Sequence, residues 1–171
     1  MTPKEYWDDY AASCVAGGKV GGTSERRAIV QTDLLNQGWT GQILEVGCGA
    51  GINLKIYPNT KGCDISPNMV ALSEVEEPNV DIISDNLLPY ITDQFDIVFT
   101  VTCLQHVTVA PDILCTEMLR VGKKIFIYED IGDGSQYDVY YIRRSIVDYE
   151  QLLGASITSR QVDGDLYCLE F

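Results

Sequence analysis

The chain has 171 residues, 46% hydrophobic and 22% charged, with 12 Lys and Arg against 25 Asp and Glu and a formal net charge of −13. That length suits one domain able to bury a real core, which excludes a disordered chain and a disulfide-stapled miniprotein. The charge argues against a broad nucleic-acid footprint, because phosphate contacts need clustered Lys and Arg.

No stretch reads as membrane-spanning. The longest uncharged apolar run, 97–111, is too short and is broken by Thr, Gln and His. The N-terminus, MTPKEYWDDYAAS, carries Glu and Asp where a signal peptide needs an apolar run, so a cytoplasmic protein is expected. Cys14, Cys48, Cys63, Cys103, Cys115 and Cys168 form no CxxC pair, and most lie inside apolar runs. Reduced, buried thiols are expected, with no metal site.

In chain order, residues 1–41 read as an N-terminal lid segment and a helix, and 42–171 as the core of a single domain. An aromatic, acidic stretch (Tyr6, Trp7, Asp8, Asp9, Tyr10) leads into GGKVGGTS, whose glycine density predicts a flexible loop. Thr23 or Ser24 then caps a helix, ERRAIVQTDLL, with Ala28, Ile29, Leu34 and Leu35 on its buried face. QILEVG reads as a buried strand, GINLKIY as a short helix ended by Pro58, and KGCDI as a second strand. Pro67 opens a helix, NMVALSEV, and VDIIS and FDIVFTV are the third and fourth strands. A helix, DILCTEMLRV, stops at Gly122; KKIFIYE is the fifth strand; a glycine-bearing loop and the helix SIVDYEQLLG follow. ASITSRQV and DLYCLEF close the chain as a hairpin turned at Asp163-Gly164. This alternation predicts an α/β, Rossmann-like, doubly wound seven-stranded sheet, mostly parallel with an antiparallel C-terminal strand.

The strongest chemical signal is LEVGCGAG. A buried strand runs into Gly47, Gly49 and Gly51, where the backbone can turn tightly and approach a ligand, with a helix N-terminus expected behind them. The spacing is not the GxGxxG of dinucleotide binders, and Glu45 would repel a pyrophosphate while suiting an ammonium or sulfonium cation. Asp64, 19 residues on, ends the second strand, where a carboxylate can accept both hydroxyls of a ribose. Ser84-Asp85-Asn86 follows the third strand and can read an adenine edge. Thr100 to Val107 ends the fourth. All these ends lie on the ligand side of a parallel sheet.

LEVGCGAG, GCDISPNMV, ISDN and FDIVFTVTCLQHV, in this order and spacing, resemble a class I S-adenosylmethionine-dependent methyltransferase over residues 42–171, closest to the small-molecule and sugar-pathway type. The resemblance implies S-adenosylmethionine as cofactor and S-adenosylhomocysteine as product. It implies that Gly47, Cys48 (by its backbone), Gly49 and Gly51 line the methionine part, with Glu45 orienting the loop or the amino group. Asp64 would hold the ribose, Ile65 and Met69 flank the adenine, and Asp85, with Asn86 and Leu87 beside it, bond the adenine amino group. Thr100 and Val101 would meet the methionine end, and Tyr6 and Tyr10, with Trp7, would close over the cofactor.

Other residues keep two readings. His106, the only histidine, is a general base beside the acceptor or a helix cap. Arg143 and Arg144 bind an acidic acceptor or pair with surface acids. Glu129, with Asp130, binds substrate hydroxyls or caps the next turn. Asp85 is an adenine ligand or a turn residue. The expected activity is transfer of a methyl group to an O or N atom of a small acceptor, with no DNA and no membrane involved and a homodimer or partner subunit left open. The alternatives are a non-catalytic cofactor-binding subunit, and a protein or RNA methyltransferase docking through Arg26, Arg27, Arg143 and Arg144.

Overall fold

The structure is a computed structural model and describes residues 1–17, 24–73 and 79–171. The strands are β1 (Ile43–Val46), β2 (Thr60–Asp64), β3 (Val80–Ile82), β4 (Ile97–Val101), β5 (Ile125–Asp130), β6 (Gln136–Asp138), β7 (Tyr141–Ile142), β8 (Thr158–Asp163) and β9 (Leu166–Glu170). The helices are α1 (Pro3–Gly17), α2 (Ser24–Asn36), α3 (Pro67–Val70), α4 (Pro111–Val121) and α5 (Ile146–Leu153). Seven strands form one sheet in the order β3-β2-β1-β4-β5-β9-β8, and β6 and β7 pair separately as a small antiparallel ribbon. The strands from β3 to β5 are parallel; β9 runs antiparallel to β5 and to β8. The expected mixed seven-stranded sheet is therefore present. No helix among the described residues is long and apolar enough to cross a membrane.

Period-two alternation sorts the sheet's side chains onto two cores. Leu44, Val46, Val98, Ile125 and Ile127 face Leu114 and Met118 of α4 and Tyr149 and Leu153 of α5. Ile43, Ile97, Phe99, Phe126 and Tyr128 face Val30 and Leu34 of α2 and Trp39. Glu45 shares parity with Ile43, which places it on the α2 side of the sheet.

Several local expectations are corrected. No helix follows the glycine loop: 50–58 is a series of turns, with Leu54 N donating to Gly51 O (3.1 Å) and Ile56 N to Asn53 O (3.0 Å). Gly51 takes a left-handed φ of +68° where a helix would begin, and β2 starts at Thr60, just past Pro58, so too little chain remains for a full helix. Helix α3 spans only four residues, with Ser66 capping Met69 N; the rest of its expected length runs into 74–78, outside the described residues. The buried stripe of α2 is Val30 and Leu34, whereas Ala28 and Leu35 are exposed. The expected mobile loop at 17–22 and the Thr23 cap fall almost wholly outside the described residues.

Helix α1 was legible but unread. Thr2 and Glu5 form a reciprocal cap, Glu5 N donating to Thr2 Oγ1 (3.3 Å) and Thr2 N to Glu5 Oε2 (2.7 Å), with Pro3 at the first helical position.

Candidate active site

The chain order of the sheet reverses between β1 and β4, and ligands of open parallel sheets bind at the carboxyl ends of strands at such a point. A cleft of about 520 Å³ opens there. The loops after β1, β2, β3 and β4 make its floor and sides, and α1 and the start of α2 close it with Trp7, Tyr10, Arg26 and Arg27.

The glycine loop is locked from below. Gly47 N and Cys48 N both donate to Cys63 O (2.8 and 3.1 Å), Gly49 N to Asp64 Oδ2 (2.7 Å) and Gly51 N to Cys48 O (2.8 Å). The expected helix N-terminus with free N–H groups is thus replaced by a loop whose donors at Gly47, Cys48, Gly49 and Gly51 already have acceptors. Gly47 has φ +70°, and a Cβ there would sit 2.2 Å from Cys103 Sγ, so glycine is required both for conformation and for space. The Cys48 side chain turns away from the cleft onto Gly62, which leaves its backbone facing inward.

Two buried carboxylates dominate the electrostatics. Asp64 is 8% exposed; Oδ2 accepts from Gly49 N and Oδ1 from Ser66 N (2.8 Å). Each oxygen keeps a second lone pair, so the group can still accept two hydroxyls. Burial raises its pKa. Glu45 is 2% exposed, with Oε1 accepting from Asn53 Nδ2 (2.8 Å) and Oε2 buried without a hydrogen-bond partner. Burial, against the Asn53 bond and with help from the Asp64 charge, pushes its carboxyl up to about 8.

Across the cleft, His106 sits in the short turn Leu104–His106. Its Nδ1 lies 2.7 Å from the Tyr140 carbonyl, which can only accept, so Nδ1 carries the proton and Nε2 is the basic nitrogen, 3.3 Å from Gln105 Nε2. Trp7 meets the imidazole edge-on at 5.0 Å and Tyr141 stacks on it at 5.2 Å. Thr102, just past β4, holds φ +49°, an uncommon conformation for a β-branched residue, and donates N–H to Tyr128 O (2.7 Å).

Of the residues singled out from sequence, the cleft gathers Tyr10, Glu45, Gly47, Cys48, Gly49, Asp64, Ile65, Met69, Asp85, Asn86, Val101 and His106. Others do not line it. Tyr6 turns away to Tyr140 (4.8 Å between rings), and Trp7 takes the wall position instead. Gly51 packs on Leu54, Leu87 is 58% exposed and Thr100 is fully buried. Asp85 Oδ1 accepts from Leu87 N (2.8 Å), a turn bond, and the Asn86 amide holds Val109 O and Ala110 O. Glu129 is fully buried behind the cleft, accepting from Leu104 N (2.6 Å) and Gln105 N (3.3 Å). Arg144 is buried too, donating to Leu104 O (2.5 Å) and Val107 O (2.8 Å). Arg143 donates to Ile131 O and Asp165. These three residues brace the His106 turn and the neighbouring loops; none reaches the cavity.

Sequence reasoning missed Thr102, Cys103 and Asn53 as cleft residues, and gave Arg27 no part in the cleft. Arg27 had a signal: with Val30 and Leu34 it forms the i, i+3, i+7 stripe of α2. Asn53 had none, because its role depends on a turn that replaced a helix.

Residues 44–125 match a methyltransferase domain family. That match covers just under half of the chain. Three solved structures share its fold. Magnesium protoporphyrin IX methyltransferase of Synechocystis PCC 6803, with bound S-adenosylhomocysteine, has TM-score 0.72 at 14% identity, over 98% of this chain and 96% of that one. A methyltransferase dependent on S-adenosylmethionine from Aquifex aeolicus has TM-score 0.63 at 16% identity, over 99% and 97%. The complex between the Haloferax volcanii Trm112 methyltransferase activator and a methyltransferase has TM-score 0.69 at 17% identity, over 91% and 77%. At these identities the likeness is one of fold. No curated protein matches the chain in sequence. The cofactor that goes with the matched methyltransferase domain is S-adenosylmethionine.

Proposed function

We propose that this chain is a class I S-adenosylmethionine-dependent methyltransferase that moves the methyl group of its cofactor to an O or N atom of a small metabolite, releasing S-adenosylhomocysteine. The observation that carries this reading is one cleft that holds Asp64 and Glu45 on one side and His106 with Trp7 on the other. Its volume is that of a small-molecule site. The cofactor supplies an electrophilic methyl on a sulfonium, which needs no further activation.

The chain's residues then bind, align and exclude water. Asp64 accepts the ribose hydroxyls. Ile65 and Met69 flank the adenine, and Asp85 with Asn86 borders its edge. The backbone from Gly47 to Gly49 and Val101 line the methionine end. Tyr10 and Trp7 of α1 cover the cleft. His106 Nε2 takes the proton of a hydroxyl acceptor, while its Nδ1 proton stays on the Tyr140 carbonyl.

Three of the four cations that would dock a polymer are engaged elsewhere, Arg26 with Asp130, Arg143 with Asp165, and Arg144 on buried carbonyls, and the fourth, Arg27, lines the cleft. That supports a small acceptor over RNA or protein. A cytoplasmic location fits six unpaired thiols. A second reading, a subunit completed by a partner, is favoured by Leu87 (58% exposed) and Val109 (64% exposed), whose apolar side chains flank the cleft rim, and by the Haloferax volcanii complex.

Methyl-labelled S-adenosylmethionine, incubated with the chain and a cell lysate, tests both. Label in the low-mass fraction is expected. Label in protein or RNA overturns the small acceptor, and bound cofactor with no label in any fraction favours the subunit reading.

A further inference from the structure

Gln105 is a buried amide whose two ends are unequally served. The residue is 5% exposed, and its backbone N–H is fixed on Glu129 Oε2 (3.3 Å). Its side-chain nitrogen lies 3.3 Å from His106 Nε2. Its side-chain oxygen is buried with no hydrogen-bond partner among the described residues. An acceptor stranded in this way destabilises the fold unless a donor comes within its reach.

His106 supplies such a donor in one of its two states. Its Nδ1 proton is committed to the Tyr140 carbonyl (2.7 Å), so a change of charge alters only Nε2. The neutral ring presents a lone pair there, and the Gln105 nitrogen donates to it. The imidazolium presents an N–H there and needs an acceptor instead. A half-turn about the last torsion of Gln105 exchanges nitrogen for oxygen in nearly the same volume, and that torsion is roughly two-fold. A carboxamide can therefore meet both states of the ring from one place, whereas an aliphatic side chain meets neither. Trp7 of α1 and Tyr141 of β7 pack on the ring. The charged groups that touch its turn are Glu129 of β5 and Arg144; Asp130, Arg26 and Arg143 act on Tyr141.

We infer that Gln105 is a positioning residue for His106, donating its amide N–H to Nε2 while the ring is neutral and turning its amide oxygen to the new N–H once the ring has taken a proton. An acceptor hydroxyl displaces the amide nitrogen from the Nε2 lone pair. Nε2 then takes the O–H proton as the acceptor oxygen bonds the methyl carbon, and the electron pair of the broken carbon–sulfur bond stays on the cofactor's sulfur. After the methylated product leaves, Nε2–H donates to Gln105 Oε1, the atom that lacked a partner. This rests on His106 acting as the base.

His106 is the only histidine, so its ring signals in nuclear magnetic resonance are unambiguous, and their titration needs neither cofactor nor acceptor. The neutral ring of the native chain carries its proton on Nδ1. Gln105→Leu lowers the protonation constant of the ring about 5- to 10-fold, because the bond to the charged state is the stronger of the two that are lost. Gln105→Glu, which keeps the shape and accepts from Nε2–H, raises it by about tenfold or more. An unchanged or higher midpoint in Gln105→Leu overturns the proposal, as does a neutral native ring protonated on Nε2. Should Gln105→Leu fail to fold, an unchanged midpoint in the isosteric Gln105→Glu overturns it alone. Undiminished low-mass labelling by His106→Gln, with methyl-labelled S-adenosylmethionine in a lysate, overturns the base reading independently of the titration.

Discussion

At the scale of single residues, Gly47 and Cys103 show how closely the loop after β1 meets the loop after β4. Gly47→Ala adds a methyl group 2.2 Å from Cys103 Sγ at φ +70°, and both effects act together. The left-handed conformation alone costs about 1–2 kcal/mol, and the contact forces backbone movement besides. A loss of at least about 2 kcal/mol in urea unfolding is expected. A stability within error of the native chain would show that the two loops are not in contact. Arg144 gives a second case. Replacing it with Met strands two carbonyls that its fork satisfies, and an expected loss of about 2–4 kcal/mol follows. Lysine does not rescue it, because one ammonium cannot span both carbonyls; thermal unfolding of the two variants checks this.

These residues also mark where sequence reasoning stopped. Asp64 and Glu45 were legible because strand parity and the glycine spacing fix where a strand ends. Arg144 and Glu129 each keep two readings in the sequence, substrate contact or structural partner, because a charged residue after a strand carries no sign of burial. Whether it points into a cleft or under a turn depends on the path of the next loop, here the Leu104–Val107 turn that both residues brace.

At the scale of elements, α1 is the roof of the site. It is tied to α3 by Ser66 Oγ, which donates to Asp8 Oδ1 (2.6 Å), and to the β6–β7 ribbon by Tyr140 Oη, which donates to Met1 O (2.6 Å). Neither tie involves a residue of the two hydrophobic cores. Asp8→Ala cuts the first tie. Amide exchange across 3–14 should then speed up while β1 and β4 stay protected, and the same rate in α1 would show that α1 is held by other contacts. The ribbon was not legible, because two- and three-residue strands carry too few side chains to show a period. The missing helix at 50–58 was hidden for a different reason: its apolar spacing suits a helix, and only Gly51 and the early start of β2 prevent one.

At the scale of the whole molecule, the fold was readable because both cores demand alternation along β1, β4 and β5, and no local choice competes with it. The same burial gives the protein a pH signature. Glu45 and Glu129 are each pushed up to about 8 by burial, whereas in an unfolded chain a Glu titrates near its ordinary value of about 4.3. The folded state then holds protons that the unfolded chain has released. This contribution is whole below about pH 4 and is lost as pH rises toward 8, at up to about 1 kcal/mol per group per pH unit. Asp33, held low by Arg160 and Tyr128 against its own burial, works in the opposite sense at acid pH. Unfolding free energy should therefore be higher near pH 6 than near pH 8, and Glu129→Gln should flatten that slope. A stability that rises from pH 6 to pH 8 would show that both carboxyls are ionised in the fold.

The cleft at the reversal of the sheet is proposed as a cofactor site centred on Asp64. Calorimetric titration of the native chain and Asp64→Ala with S-adenosylhomocysteine tests it most directly. The native chain should bind with a dissociation constant on the order of micromolar, and the variant, stripped of its diol acceptor, at least about tenfold more weakly. Equal affinity in both proteins, with Asp64→Ala still folded, would contradict the claim.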